Sequence, residues 1–364
     1  MKILIISYGI YESDGRLQSL EQVFKNIGDT EVYATTFLTG NKMFSIDKND
    51  YLNPKKILSF YKEVMLKKNI KDFDVIVLDN YFVSPIGMIL KNLYPNKVFI
   101  QDVRELYLFP DLQTLKSKVF IFSEYKMMMK SDIILVANKF RATIMKKIYH
   151  DIPSPIVFEN VRFLPLALNN KNNYDHLIDK NKFNIISTGG LSVSRGILDI
   201  LNGVIGVDDN FHMYIVGGGT NNDIKVVNEF ISDNSLEEKV TLIDKVPMYE
   251  LKGLVSKCDV GVVNYHKKDL NNLYCSSGKI YEYLNEGLPI ICTDNPPLKE
   301  FCETTDVGLS GSDFREMITE MYLNYSRYKK NVNSYIINIS PQNYSKMISL
   351  QIEDSMRKKR NENK

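Results

Sequence analysis

Cysteine and histidine are scarce in this chain, and neither is arranged for metal chemistry. The cysteines are Cys258, Cys275, Cys292 and Cys302, and the histidines are His150, His176, His212 and His266. No C-x-x-C pair occurs and no histidine completes a zinc spacing, so a zinc site is excluded and reduced thiols inside a cell are expected. No Ser/His/Asp arrangement can be drawn from histidines so scattered. Long apolar runs are also missing. No segment reaches the roughly 18 uninterrupted apolar residues of a spanning helix, and the opening MKILIIS is too short for a signal peptide. A dominant charge is absent: 46 Lys+Arg face 44 Asp+Glu, a net of +2. That balance gives no field for nucleic acid, which is not an expected partner. No P-loop signature and no internal repeat of about 20–50 residues appears.

What is present is an ordinary globular composition, 44% hydrophobic and 25% charged, at 364 residues, a length comfortable for two domains. The charge is unevenly spread. Residues 1–165 hold 23 Lys+Arg against 18 Asp+Glu, a net of +5; the remainder holds 23 against 26, a net of −3. Basic clusters such as MLKKNIK and FRATIMKKIY suit an anionic membrane or acceptor, or simply a solvated helix face. Short apolar runs alternate with helix-period stretches. Strands are expected at 2–7, 31–37, 74–79, 97–102, 132–137 and 155–160, and again at 183–189, 212–217, 239–243, 259–264 and 289–293. Runs this short and continuous suit strands buried on both faces, and their alternation with helices argues for parallel sheets covered by helices. Residues 166–182 are rich in Asn, Asp and Lys without a sustained period and read as a linker. The expected fold class is α/β, with two Rossmann-like doubly wound domains, 1–165 and 183–340, facing a cleft, and a final helix over 341–364. Ligands of such sheets bind beyond the carboxyl ends of strands, so the residues just after strands carry the interest.

STGGLSVSRGILDIL (187–201) reads strand, Gly189-Gly190, loop, Arg195-Gly196, helix. Glycines let the backbone approach a ligand, a helix start favours an anion, and Arg195 can contact a phosphate. An ordinary turn with a solvent arginine fits as well. YIVGGGT (214–220), with Gly217 and Gly218, permits close approach to a ligand or marks a tight turn. SSGKIYEYLNEGLPIICTD (276–294) is more specific. Ser276, Ser277 and Gly278 stand at a helix start with free N–H groups and the positive end of a dipole. Lys279 lies in the first turn, and Glu282, three residues on, shares its face. Amides and a lysine suit phosphates, while a carboxylate can accept from both hydroxyls of a ribose. A surface Lys–Glu pair is the plainer alternative, and the apolar strand that follows at once argues against it. ISYGIYESDGRLQ (6–18) ends a strand in a loop with Gly9, Asp14, Gly15 and Arg16, where Asp14 also suits a helix cap. In FIQDVRELYLFPD (99–111) a strand ends at Asp102, and Arg104 and Glu105 follow as groups for acceptor contact, proton transfer or a structural pair. Among the histidines only His266 stands just beyond a strand.

Taken in order, these motifs resemble the retaining glycosyltransferases of the GT-B fold, family-4 type. GGLSVSRGILDIL is similar to that family's G-R-L-x-x-x-K-G donor loop, and HMYIVGGG to its strand–glycine element. VTLIDKVPMYELKGLVSKCDVGVV is similar to the segment whose loop contacts the base. SSGKIYEYLNEGLPIICTD resembles the P-x-K-x-x-E-Y-x-x-x-G-x-P-V-I block. DGR, DVREL and VFEN resemble, more loosely, a bacterial surface-polysaccharide and capsule subgroup. The resemblance implies that Glu282 binds ribose, that Arg195 stands where the family has a phosphate-binding lysine, and that Lys279 and the Ser277–Gly278 backbone meet the diphosphate. Gly189, Gly190, Gly217, Gly218 and Ser276 complete the implied donor site, with Val246 and Pro247 near the base. Arg104, Glu105, Arg195 and Lys279 form the implied catalytic set, and Gly9, Asp14, Gly15 and Arg16 the implied acceptor side. Three positions depart from the pattern. Tyr274 replaces a glutamate that many members carry eight residues before the ribose glutamate, Gly190 replaces the donor-loop arginine, and DVREL stands where a histidine is frequent.

The expectation is therefore a glycosyltransferase that moves a sugar from a nucleotide-diphosphate sugar, UDP foremost, to an acceptor hydroxyl. Retention of configuration and a role in bacterial polysaccharide or glycolipid synthesis are part of it. The first domain would bind the saccharide or lipid-linked acceptor and the second the nucleotide sugar, with the final helix crossing back to the first domain. No metal or other cofactor is expected. The expected location is the cytoplasm, with peripheral contact at the inner face of the membrane. Two alternatives stand: a catalytically silent nucleotide-sugar-binding partner subunit, motivated by Tyr274 and Gly190, and a nucleotide-sugar epimerase, which the scattered histidines disfavour.

Overall fold

The computed structural model describes residues 1–38, 43–67, 69–108, 112, 114–163 and 174–362. The chain divides into two compact units, Met1–Leu164 with Ser340–Lys364, and Pro165–Ile339. Of the expected linker, residues 166–173 lie outside the described residues; 174–182 contain one short 3-10 turn, Asp175–Leu177. Among the described residues no helix is long and apolar enough to cross a membrane.

The first unit holds a seven-stranded parallel sheet. Its strands are β1 (Lys2–Ile10), β2 (Asp29–Thr36), β3 (Phe44–Ser45), β4 (Val75–Asp79), β5 (Val98–Val103), β6 (Ile133–Val136) and β7 (Ile156–Val157), in the order β3-β2-β1-β4-β5-β6-β7. The central strands are continuous apolar runs because both faces are covered. Leu4, Ile6, Tyr8, Ile76, Leu78 and Phe99 share one core with Ile57, Phe60, Val64, Ile86, Leu90 and Met127 from the helices Pro54–Lys67, Ser84–Leu93 and Leu115–Lys130. Helix Gly15–Lys25 is capped by Asp14, whose side chain accepts the Leu17 N–H at 3.0 Å. The last helix, Pro341–Glu362, packs on it, with the Ser345 hydroxyl donating to the Val23 carbonyl at 2.8 Å. The strand expected over 155–160 is only two residues long. Beyond it the Phe158 and Glu159 carbonyls turn to the Arg16 guanidinium, at 3.0 and 3.4 Å, and leave the ladder.

The second unit holds a six-stranded parallel sheet of β8 (Phe183–Thr188), β9 (Phe211–Val216), β10 (Val240–Ile243), β11 (Val260–Val263), β12 (Ile290–Thr293) and β13 (Gly308–Gly311). Its order is β10-β9-β8-β11-β12-β13. Strand β13, sequence GLSG, carries no apolar run to announce it. Its first residue must be small, because a Cβ at Gly308 would lie 2.0 Å from the Ile290 carbonyl oxygen. In both sheets the order reverses beside the first strand, between β1 and β4 and between β8 and β11. Crossover helices therefore leave on opposite faces there and open a crevice at the carboxyl ends.

Candidate functional site

A cavity of about 130 Å³ lies at the carboxyl ends of β8 and β11, the reversal point of the second sheet. Its wall takes Ser187 to Gly190, Ser192 and Arg195 from β8 and the loop after it, Asn264 to His266 from the loop after β11, and Asn272 and Lys279.

Backbone packs on backbone at one side of it. Gly189, Gly190 and Gly217 have φ of 108°, 103° and 139°. The Leu191 N–H donates to the Gly218 carbonyl at 3.1 Å, and the Gly189 N–H to the Val216 carbonyl at 3.0 Å. A Cβ at Gly190 would lie 2.5 Å from the Gly218 carbonyl oxygen, and one at Gly217 2.5 Å from the Gly190 nitrogen. Gly217 thus serves loop–loop contact, while Gly218 faces open space. Two side chains set the rest of the loop. Asn264 donates from Nδ2 to the Arg195 and Gly196 carbonyls, at 3.0 and 2.8 Å. Asp223 accepts the Val193 N–H at 3.0 Å while it pairs with the capping Thr220. Arg195 itself is exposed.

Lys279 arrives from the other side on helix Gly278–Asn285. That helix is anchored by the fully buried Tyr283, which packs on Gly261 of β11, where a Cβ would lie 2.3 Å from the ring. One turn earlier the Lys279 ammonium rests on the Gly189 backbone: a Cβ there would fall 2.4 Å from Nζ. Loss of hydration holds the ammonium below the usual lysine range; Glu282 opposes this and Arg195 reinforces it. The corner is cationic and backbone-lined, and it suits an anion.

The wall therefore brings together Gly189, Gly190, Arg195 and Lys279. Among the described residues it does not include Gly217, Gly218, Val246, Pro247, Ser276, Ser277, Gly278 or Glu282. Ser277 and Gly278 are buried, and among the described residues the Ser277 hydroxyl has no hydrogen-bond partner. Glu282 is half-buried; Val246 is buried and Pro247 exposed in the loop after β10. Asn264 and Tyr283 were not singled out by sequence. Asn264 follows a strand as His266 does, a position that could have flagged it; Tyr283 reads as an ordinary apolar helix residue.

In the first unit, two Arg–Asp pairs stand at the carboxyl ends of β4 and β5. Arg104 holds Asp79 through both terminal oxygens and reaches Asp14 at 2.6 Å. Burial raises the Asp79 carboxyl to about 6; Arg104 pulls it down, while Asp14 and Asp102 push it up. Arg16 is buried on Asp102, at 2.6 and 2.8 Å, with Asp102 wholly enclosed. Arg16, read as a group lining a cleft, is thus turned inward and spent on a structural pair. Gly9 is buried where a Cβ would meet Asp14 at 2.8 Å, and at Gly15 a Cβ would lie 2.7 Å from Arg162. Glu105 faces Arg141 at 3.6 Å. Among the described residues no group of three or more His, Cys, Asp or Glu gathers to hold a metal.

No family model matches the chain, and no curated protein matches it in sequence. Solved structures do match it in shape. HepE from Anabaena in complex with UDP superposes with a TM-score of 0.68 at 12% identity, covering 98% of each chain. Sucrose-phosphate synthase from Thermosynechococcus elongatus gives 0.67 at 12% identity, again over 98% of each. An α,α-trehalose-phosphate synthase (UDP-forming) from Burkholderia vietnamiensis gives 0.66 at 10% identity, over 97% of this chain and 100% of that one. The chain therefore has the fold of these proteins, two Rossmann-like α/β units of the GT-B type.

Proposed function

We propose that the chain is a glycosyltransferase that moves a sugar from a nucleotide-diphosphate donor, UDP-linked foremost, to an acceptor hydroxyl with retention of configuration. The observation that carries this reading is the Lys279 ammonium against the Gly189 backbone at the reversal point of the second sheet. A departing diphosphate builds negative charge, and cations already in place stabilise it without reorganising. The loss of hydration at Lys279 is only partly offset by Glu282, and an entering diphosphate supplies further negative charge; Arg195 adds a second cation. The fold shared with UDP-bound HepE and with a UDP-forming synthase supports UDP as the nucleotide. In this reading Glu282 takes the ribose, Val246 and Pro247 flank the base, and Gly190, Gly217, Gly218, Ser276, Ser277 and Gly278 complete the donor contacts. Arg104 and Glu105 serve catalysis, and Gly9, Asp14 and Gly15 lie toward the acceptor, without a metal. The 276–294 block and the DVREL segment support placement in family 4 and in a bacterial surface-polysaccharide or glycolipid pathway, at the cytoplasmic face of the membrane.

One observation favours a second reading, a partner subunit that binds nucleotide sugar without turnover. Position 190 cannot take the family's arginine without moving the Gly218 carbonyl. Two measurements test the proposal. UDP at 100 times its dissociation constant should stabilise the protein by about 2.7 kcal/mol, and Lys279→Ala and Arg195→Ala should abolish most of that shift. UDP-sugar should then be consumed in the presence of acceptor. No shift with UDP, GDP or their sugars overturns the donor site. A shift without any turnover favours the silent subunit.

A further inference from the structure

The helices on one face of the first sheet carry an excess of positive charge larger than that of the whole first half of the chain. Strand order moves steadily from β3 through β4, β5 and β6 to β7. The right-handed crossovers Pro54–Lys67, Ser84–Leu93, Leu115–Lys130 and Lys139–Ile148 therefore lie on the same face. Residues of the first three share one core with Leu4, Ile6 and Leu78. These four helices hold thirteen Lys+Arg and only two acids, Glu63 and Glu124. Both acids are withdrawn from the surface. Glu63 is half-buried and accepts the Tyr33 hydroxyl at 2.8 Å, and Glu124 is buried, which raises its carboxyl well above the usual range. Of the cations, Arg141 is buried and Lys91 is half-buried on Asp132 at 2.9 Å, so lysines of the other three helices carry the outward charge.

Large apolar side chains stand among these lysines. On helix Leu115–Lys130, Leu115, Val119 and Phe122 recur at i, i+4 and i+7 and are 80%, 54% and 51% exposed. Lys126 continues the stripe, its ammonium 5.5 Å from the Phe122 ring centre. Ile89 and Leu93 on the adjoining helix, and Leu58 and Leu66 on Pro54–Lys67, are exposed too. The edges are tied together: Lys130 donates to Asn92 at 3.0 Å, and Lys116 to the carbonyl of the exposed Leu52. A patch of this kind marks an interaction site. A second copy would bring lysine against lysine. An anionic bilayer fits both components, because the apolar groups enter between headgroups while lysine stems lie along the interface and their ammonium groups stay with the phosphates.

We propose that this helical face docks the first unit on a bilayer containing anionic phospholipid, with helix Leu115–Lys130 nearest the interface. The surface stands whether or not the second unit binds a nucleotide. The test is cosedimentation of the full chain with phosphatidylglycerol–phosphatidylcholine vesicles and with phosphatidylcholine alone. Binding is expected to the mixed vesicles, at least tenfold weaker to the neutral ones, and to decline with salt. The double variant Val119→Glu/Phe122→Glu should lower vesicle binding at least tenfold with an unchanged far-UV spectrum and Tm; if it fails to fold, Leu115→Ser, at the most exposed position, should still lower it severalfold. Absence of binding to the mixed vesicles, or variants that bind as the parent does, would overturn the proposal. So would a concentration-dependent dimer in lipid-free sedimentation velocity that the double variant abolishes, since the occupant would then be a second copy.

Discussion

The hydroxyl of Tyr283 lies 2.9 Å from both the backbone nitrogen and the hydroxyl of Thr188, and it reaches the Val262 carbonyl at 3.3 Å. One side chain thus joins the carboxyl ends of β8 and β11 and fixes the helix that presents Lys279. Replacing Tyr283 by Phe keeps the ring on Gly261 but leaves the buried Thr188 N–H without its acceptor. The expected cost is about 1–3 kcal/mol in denaturant unfolding, together with weaker UDP binding. Unchanged stability would mean the amide has found another partner.

If Lys279 holds the diphosphate as proposed, it gives the donor site a pH signature. Bound diphosphate favours the charged ammonium, so UDP affinity should be full below the depressed pKa and fall as pH rises through it, earlier than an ordinary lysine would allow. Lys279→Arg, always charged, should flatten that decline in calorimetric titrations across pH. Without ligand the same ammonium opposes folding wherever it is charged in the native state. Lys279→Met should therefore raise stability by about 1 kcal/mol at neutral pH, with the gain fading at high pH, where the unfolded lysine also loses its proton. A variant less stable than the parent would show that Glu282 fully compensates the charge.

Gly217 is a backbone spacer between the loops after β9 and β8. Gly217→Ala combines an unfavourable φ of 139° with a Cβ driven into the Gly190 nitrogen and Cα, at 2.5 and 2.6 Å. It should cost about 1–3 kcal/mol and weaken UDP binding through displacement of Gly189 and Gly190. Gly218→Ala, with open space around it among the described residues, should keep the parent's stability, so any loss of UDP binding there reports contact with the donor itself. Paired melting and titration experiments on the two variants distinguish the positions.

Arg16 should behave as structure. Arg16→Met leaves the enclosed Asp102 without its bidentate partner, and the expected loss is about 3–5 kcal/mol. The UDP-induced Tm shift, which the proposed donor site assigns to the other unit, should persist. A stable Arg16→Met protein would contradict the burial of the pair.

Much of the fold was legible because most strands are apolar runs bounded by polar turns, as at Lys2–Ile10, Val75–Asp79 and Val260–Val263. β3 and β13 were not, since a two-residue edge strand and a GLSG segment carry no period to read. At the site, Gly189, Gly190, Arg195 and Lys279 stood out as glycines and cations near strand ends or helix starts. Asn264 and Tyr283 escaped notice because their work lies in partners 21 to 95 positions away along the chain. Arg16 misled for the converse reason: an arginine after a loop reads as exposed until its long-range aspartate is known.

Sequence alone determined most of the elements, their alternation and hence the two parallel sheets, because side-chain burial along a strand or helix is a local periodic property. Folding in three dimensions decided which residues meet. Backbone atoms of two glycine loops, a buried tyrosine and a dehydrated lysine converge where the strand order reverses, and no local pattern encodes distances across a sheet. The same holds for the first unit, where strand order stacks on one face four helices that together hold thirteen Lys+Arg.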